Sequence, residues 1–193
     1  MRFMARFFGH LHTVNLHRWR VFVHCCRVGI PLRGLLHDLS KYSPTEFWNG
    51  VRYFQGNRSP NDAEREHVGC SYAWMHHKGR NRHHFEYWVD YDPVTRQQTP
   101  VRMPTVFVAE MFCDRVAASK TYLKDSYTDH ASIEYFLKGK AHRRIHPETS
   151  ALLEGWLRML AEQGEKATFA EIRRTLRGRA AAGSSADSSA GEL

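Results

Sequence analysis

Hydrophobic and polar positions fall into helical periods almost from the start of the chain. From about Phe7 to Val28, His10, Val14, His17, Val21, His24 and Val28 recur at alternating four- and three-residue steps. That spacing lines one helix face with three valines and three histidines. "VGIP" ends the helix, with Gly29 as its C-cap and Pro31 forbidding continuation. A short second helix carries "LRGLLHDLSK", where Leu35, Leu36 and Leu39 predict a buried backbone. "SPTE" at 43–46 is a capping box with proline at the first helical position. "SPND" at 59–62 repeats the device and opens a helix through "AEREHVGCSYAWMHHK" that stops at Gly79. The loop "GRNRHHFEYWVDYDPVTRQQTPVRMP" follows, with a short hairpin around Tyr87–Val101. Pro104 starts "TVFVAEMFCDRVAASKTYLK", Gly139 closes "DHASIEYFLKG", and "HPETSALLEGWLRMLAEQG" makes one more helix. Thr168 with Glu171 caps a last short helix, and from Gly178 the chain is Gly, Ala and Ser rich. The pattern predicts an all-α domain over residues 1–177 and a disordered low-complexity tail over 178–193.

Composition narrows the class. A chain of 193 residues, 42% hydrophobic, suits one domain with a real core. It shows no repeat and no apolar stretch of membrane-spanning length. Cys25, Cys26, Cys70 and Cys113 form no C-x-x-C, which argues against a disulfide framework or a thiolate zinc site and for a reducing, cytoplasmic setting. A net charge of +8 points to an anionic partner. No Asp or Glu precedes Asp38, so the first helix is wholly basic. The opening "MRFMARFFGHLHTVNLHRWR" resembles a transit peptide in composition, yet it lacks serine and a cleavage-like site, and is read as a working helix.

Candidate chemistry centres on "GLLHDLSKYSPTEF", residues 34–47. A buried ionised carboxylate costs several kcal/mol unless paired or bound to a cation. His37 and Asp38 are neighbours, about 100° apart on a helix, and a shared metal ion at the helix end would use both. A hydrogen-bonded His and a capping or salt-bridged Asp explain an isolated pair better, but here a second acid lies in a similar setting. Asp114 sits in the apolar stripe Phe107, Met111, Ala118, Tyr122, while Arg115 is turned roughly 100° away from it. The first helix should supply a histidine. With a turn near Ile30, His37 lies about seven residues beyond it, which pairs it level with His24; His17, roughly 10 Å further along, is the second choice. "WMHHKGRNRHHFEYW" adds two histidine pairs between Trp74 and Trp88. One of each pair is expected to face inward, His77 from the first and His84, ahead of His83, from the second.

His…His-Asp…His…His…Asp on an all-α scaffold resembles the HD-domain superfamily of metal-dependent phosphohydrolases. "LLHDLSK" is similar to its His-Asp motif with trailing lysine, and "HHFEYW" to the His-His segment of the HD-GYP branch. "GLLHDLSKYSPTEF", "YFQGNRSPNDAERE" and "HHKGRNRHHFEYW" resemble a bacterial and phage family of HD-like proteins with no assigned substrate, over roughly residues 7–140. The resemblance implies a bundle of about six to eight helices with a His-rich loop. It implies His37, Asp38 and Asp114 as core ligands, completed by the first-helix histidine, and His77 with His84 extending the set to two divalent ions (Fe, Mn, Co, Ni or Zn).

The expected activity is hydrolysis of a small phosphorylated or nucleotide substrate. Lys41 would contact phosphate or the nucleophile, Glu86 would serve as general base or orienter, and Lys78, Arg80 and Arg82 would clamp the anion. Solvated surface explains those loop cations equally well. Two other classes remain open. One is a mixed-valent di-iron oxygenase, which the same scaffold hosts and which imidazole-rich ligation suits. The other is a non-catalytic, metal-stabilised module binding nucleic acid through its basic first helix.

Overall fold

A computed structural model describes the backbone of residues 2–188 and the side chains of residues 3–178. The fold is an all-α bundle with one small hairpin. Helix α1 (Arg2–Val28) packs against α2 (Pro31–Leu36), α3 (Pro44–Tyr53), α6 (Thr105–Leu123) and α8 (Pro147–Ser188). Helices α4 (Pro60–Val68) and α5 (Tyr72–Lys78) lie against α3, and α7 (Ala131–Gly139) lies against α6 and α8. Strands β1 (Val89–Asp92) and β2 (Gln97–Pro100) pair antiparallel, Val89 opposite Pro100 and Asp92 opposite Gln97, inside the expected hairpin. Among the described residues no helix is long and apolar enough to cross a membrane.

The core gathers around α6, which is covered by its neighbours on most of its circumference. Val108, Phe112, Cys113, Val116 and Ala117 meet Val21, Cys25 and Val28 of α1 and Leu153, Leu157, Leu160, Phe169 and Ile172 of α8. Burying each large side chain stabilises the fold by about 1.5–3 kcal/mol, so this cluster fixes α1 and α6 side by side. The apolar half of the α1 stripe, Val14, Val21 and Val28, is buried as the period requires, and so are His10, His17 and His24. Cys25 and Cys113 are buried free thiols.

Several boundaries differ from the expected ones. The "LRGLLHDLSK" helix stops at Leu36: His37 is extended (φ −54°, ψ 130°), Asp38 is left-handed (φ 53°, ψ 29°), and a 3-10 turn covers Leu39–Tyr42. The leucines expected to be buried are exposed, Leu35 at 57% and Leu36 at 63%, whereas His37 and Asp38 are 2% and 1% exposed. The kink after Leu36 inverts the faces, so the polar pair goes inward. Gly69 (φ 82°) splits the expected 60–79 helix into α4 and α5. The Ser43 hydroxyl accepts from the Glu46 N–H, but the Glu46 carboxylate turns away to His76 and His77, leaving half a capping box. Helix α8 breaks at Gly164 (φ 75°), where the expected helix ends, but Thr168, expected as the next N-cap, lies inside the helix that follows and bonds back to the Gly164 carbonyl. Of the expected tail, residues 189–193 and the side chains from 179 onward lie outside the described residues.

Candidate metal centre

Four elements converge on Asp38. Helix α1 presents His17 from its buried stripe, and α6 presents Glu110 and Asp114 one turn apart. The kink between α2 and the 3-10 turn presents His37 and Asp38. The last turn of α5 gives His77, and the loop after it gives His83 and His84. The left-handed backbone at Asp38 is one that Asp and Asn tolerate better than other side-chain-bearing residues.

The two oxygens of Asp38 face two different groups. On one side, Oδ2 lies 3.2 Å from His37 Nε2 and 3.8 Å from His17 Nε2. His17 Nε2 is 3.1 Å, and His37 Nε2 3.7 Å, from Asp114 Oδ1. On the other side, Oδ1 lies 3.2 Å from His77 Nε2 and 3.4 Å from His83 Nε2. The His84 ring stands 4.1 Å from that of His83 and 4.8 Å from that of His77. In the set His17, His37, Asp38, Asp114, one donor atom per residue lies within 4.8 Å of each of the others, and the same holds for Asp38, His77, His83, His84.

Donors about 2.1 Å from one ion and 90–110° apart would stand about 3.0–3.4 Å from each other, close to the observed spacing. Nε2 of His17, His37, His83 and His84, and Oδ1 of Asp38, are buried without a hydrogen-bond partner. Each such orphan costs about 1–3 kcal/mol unless something else satisfies it. A divalent cation would satisfy them together, and imidazole with carboxylate is a donor set that first-row metals accept. The residues present therefore fit one or two metal ions.

Carboxylates behind the rings set their orientation. Glu110 Oε1 accepts from Nδ1 of His37 at 3.1 Å and faces Nδ1 of His83 at 3.3 Å, while Arg33 donates to Oε2 at 3.4 Å. Glu46 takes Nδ1 of His76 at 2.6 Å and of His77 at 2.7 Å. A proton held on Nδ1 leaves the Nε2 lone pair directed at Asp38. Asn81 braces His77 from below, donating to the Ser40 hydroxyl and to the His77 carbonyl, both at 2.8 Å.

Electrostatics act on each group separately. Burial alone would raise Asp38, but His37, Lys41 and His77 hold its carboxyl well below the usual range. Burial likewise opposes ionisation of Asp114, and His17 and His37 outweigh it. Glu110 is held down to about 2 because His37 and His83 outweigh its burial. Burial would lower His37, yet Asp38, Asp114 and Glu110 carry it well above the ordinary histidine value. His84 moves the other way, pushed down by burial and by His83 and His77. His17 is lowered by burial and Lys41, and His77, against its burial, is raised by Asp38 and Glu46, so each side pairs a raised ring with a lowered one.

The structure brings together His37, Asp38, His77, His83, His84 and Asp114 of the expected set, both members of the second histidine pair included. It does not bring His24. That ring's Nδ1 pairs with the Cys113 carbonyl at 3.2 Å, and the ring packs 5.2 Å from Phe169, while His17, one heptad earlier, joins the cluster. The level-pairing count assumed helical rise through His37. Instead, Gly34 lets α2 approach α1 closely (an added Cβ would lie 2.9 Å from Phe22 Cα), and the extended residue at His37 advances about 3.3 Å rather than 1.5 Å. His37 therefore ends up beside Arg18, which donates to its carbonyl at 2.8 Å.

Lys41 Nζ sits 2.9 Å from Asp38 Oδ2, with a third of its side chain exposed. Glu86 is largely buried with Oε2 unpartnered; burial raises its carboxyl, and the charges acting on it are Arg115, Lys78 and Arg143 rather than the cluster. Arg80 and Arg82 are exposed, Arg80 bonded to the His76 carbonyl and Arg82 stacked 5.9 Å from the Tyr87 ring centroid, and Lys78 is half-buried. Sequence reasoning missed Glu110 and Glu46. Glu110 lies one turn before Asp114 in the same apolar helix, a signal that was present; Glu46 was absorbed into a capping motif.

Fold and site together define an all-α protein with a buried, histidine-rich cluster that could hold metal ions. The chain belongs to the family of unknown function DUF5662, whose family model matches residues 6–159, a span that contains every residue of the cluster. No curated protein and no solved structure matches the chain.

Proposed function

We propose that this protein is a metal-dependent phosphohydrolase acting on a small phosphorylated or nucleotide substrate, of the HD type that its motifs resemble. The observation that carries the reading is Asp38, one carboxylate shared between two four-residue donor sets in which Nε2 of His17, His37, His83 and His84 is buried and unpartnered. Two divalent ions bound there would supply water of lowered pKa and neutralise charge on a phosphoryl group.

The chain's own residues prepare that chemistry. Glu110 and Glu46 face Nδ1 of His37, His83 and His77, and a proton held there would leave the facing nitrogens to ligate once a metal displaces any second proton. Burial lowers Lys41, but Asp38 and Asp114 more than offset it, so its ammonium stays charged near neutral pH. Partly exposed beside Asp38, that ammonium is the group best placed to attract a phosphoryl oxygen.

A second reading, a di-iron oxygenase, is favoured by the donor set itself, five imidazoles against two carboxylates. Elemental analysis of untagged protein, followed by phosphatase and oxygen-uptake assays, tests both. Manganese or cobalt with turnover of a phosphate ester, lost in Asp38→Asn, is the expected result. Iron with oxygen consumption and no phosphatase activity would replace the first reading by the second. Protein that binds no metal would remove both.

A further inference from the structure

Beyond the break at Gly164, α8 turns a row of cations outward. Lys166, Ala170, Arg173 and Arg177 recur at four- and three-residue steps, so they share one helix face, and all four are exposed. Together with Arg174, and with Arg27 from the last turn of α1, they line an open groove of about 820 Å³. Phe169 forms its floor, 2% exposed beneath the Arg27 guanidinium, which lies 3.9 Å from the ring centroid. No acid lines the groove.

The acids on this stretch of α8 are already engaged. Glu165 takes Arg27 at 2.6 Å and also Lys120, and Glu171 takes Arg174 at 2.6 Å. Lys166, Arg173 and Arg177 have no ion-pair partner among the described residues. A row of unpaired like charges repels itself, and an anion laid along it relieves that repulsion. Residues 166–178 also lie outside residues 6–159, the stretch that the family model matches.

The shape selects among anions. Lys166 and Arg177 are eleven residues apart, about 16 Å along the helix. A single phosphate would meet one or two of these cations, whereas a duplex offers one negative charge per about 1.7 Å of axis. Small-molecule sites are enclosed, and this groove is open and lined by five cationic side chains. Helices that lie on membranes insert exposed aromatic or aliphatic side chains, and the only aromatic ring here is buried under Arg27. We propose that the groove binds the phosphodiester backbone of a nucleic acid without regard to base sequence. With no exposed ring to stack a base, its contacts position rather than specify. The inference is independent of what the metal centre does.

Fluorescence anisotropy with a labelled 20-base-pair duplex and the full chain tests it. Binding should weaken with salt at a log–log slope of about −3, from three unpaired cations at about 0.9 each. Arg173→Glu/Arg177→Glu should lower affinity at least about tenfold and flatten the slope by about 2. Lys138→Glu/Arg144→Glu, the same charge change at exposed sites elsewhere, should leave affinity within about twofold. If the reversal variant fails to fold by circular dichroism, Arg173→Gln/Arg177→Gln carries the same comparison. Absence of wild-type binding at low salt, equal losses in both charge-reversal variants, or binding to phosphatidylserine vesicles but not to duplex would each overturn the proposal.

Discussion

Replacing His17 and His24 separately by alanine separates a cluster histidine from a core histidine on the same helix stripe. His17 Nε2 lies 3.1 Å from Asp114 Oδ1 and 3.8 Å from Asp38 Oδ2, buried without a hydrogen bond. His24 is buried against Phe169 and bonded to the Cys113 carbonyl. Structural zinc sites with four ligands release about 10–16 kcal/mol, or about 3 kcal/mol per ligand. His17→Ala should therefore weaken metal binding by about two orders of magnitude, at about 1.4 kcal/mol per factor of ten. His24→Ala removes a hydrogen bond worth about 1 kcal/mol and leaves a cavity where a buried ring was, together lowering stability by about 2–4 kcal/mol. Its metal affinity should stay that of the wild type. Chelator-competition titrations give the affinities, and urea unfolding of the metal-free proteins gives the stabilities. If His24→Ala loses the metal while His17→Ala keeps it, the assignment of the cluster is wrong.

Glu110→Gln keeps the size of the side chain but replaces the carboxylate that faces Nδ1 of both His37 and His83, so metal affinity should drop about 10–100-fold; an unchanged chelator midpoint would contradict that role. A methyl group at Gly50 would overlap the His10 ring, which is held against Phe47 and Phe54, so Gly50→Ala should cost about 1–3 kcal/mol and His10→Ala should recover part of it. No recovery in the double variant would refute the contact. Burial lowers His24 to about 4, below the unfolded value of 6.5, so the unfolded chain binds more protons in that window. The contribution of the neutral ring is fully present above pH 6.5 and is lost as pH falls toward 4, about 2 kcal/mol between pH 7.5 and 5. Urea midpoints of the metal-free wild type and of His24→Gln should differ in their pH dependence by that amount, and parallel curves would refute it.

Periodicity and turn chemistry were enough to read the all-α class, the α1 stripe, the cap at Gly29, the starts at Pro44 and Pro60, the 87–101 hairpin and the α6 helix. Those features depend on neighbours a few residues apart, and local sterics and capping fix them. Local reading placed the break at Gly164 but missed those at His37–Asp38 and at Gly69.

The sequence alone also identified six members of the cluster, because buried acids and paired histidines in apolar settings are costly without a partner. Which first-helix histidine joins them was beyond it. That choice depends on how far α2 runs before its kink, how closely Gly34 allows α1 and α2 to approach, and how α6 lies along α1. Each shifts the level of the pairing by several ångströms, and a heptad is only about 10 Å. Glu110 and Glu46 were likewise readable as acids but not as partners of particular rings, since the carboxylates and rings are separated by 30 to 73 residues in the chain. Helix spacing names the face that a side chain occupies; only packing between helices decides what stands opposite it.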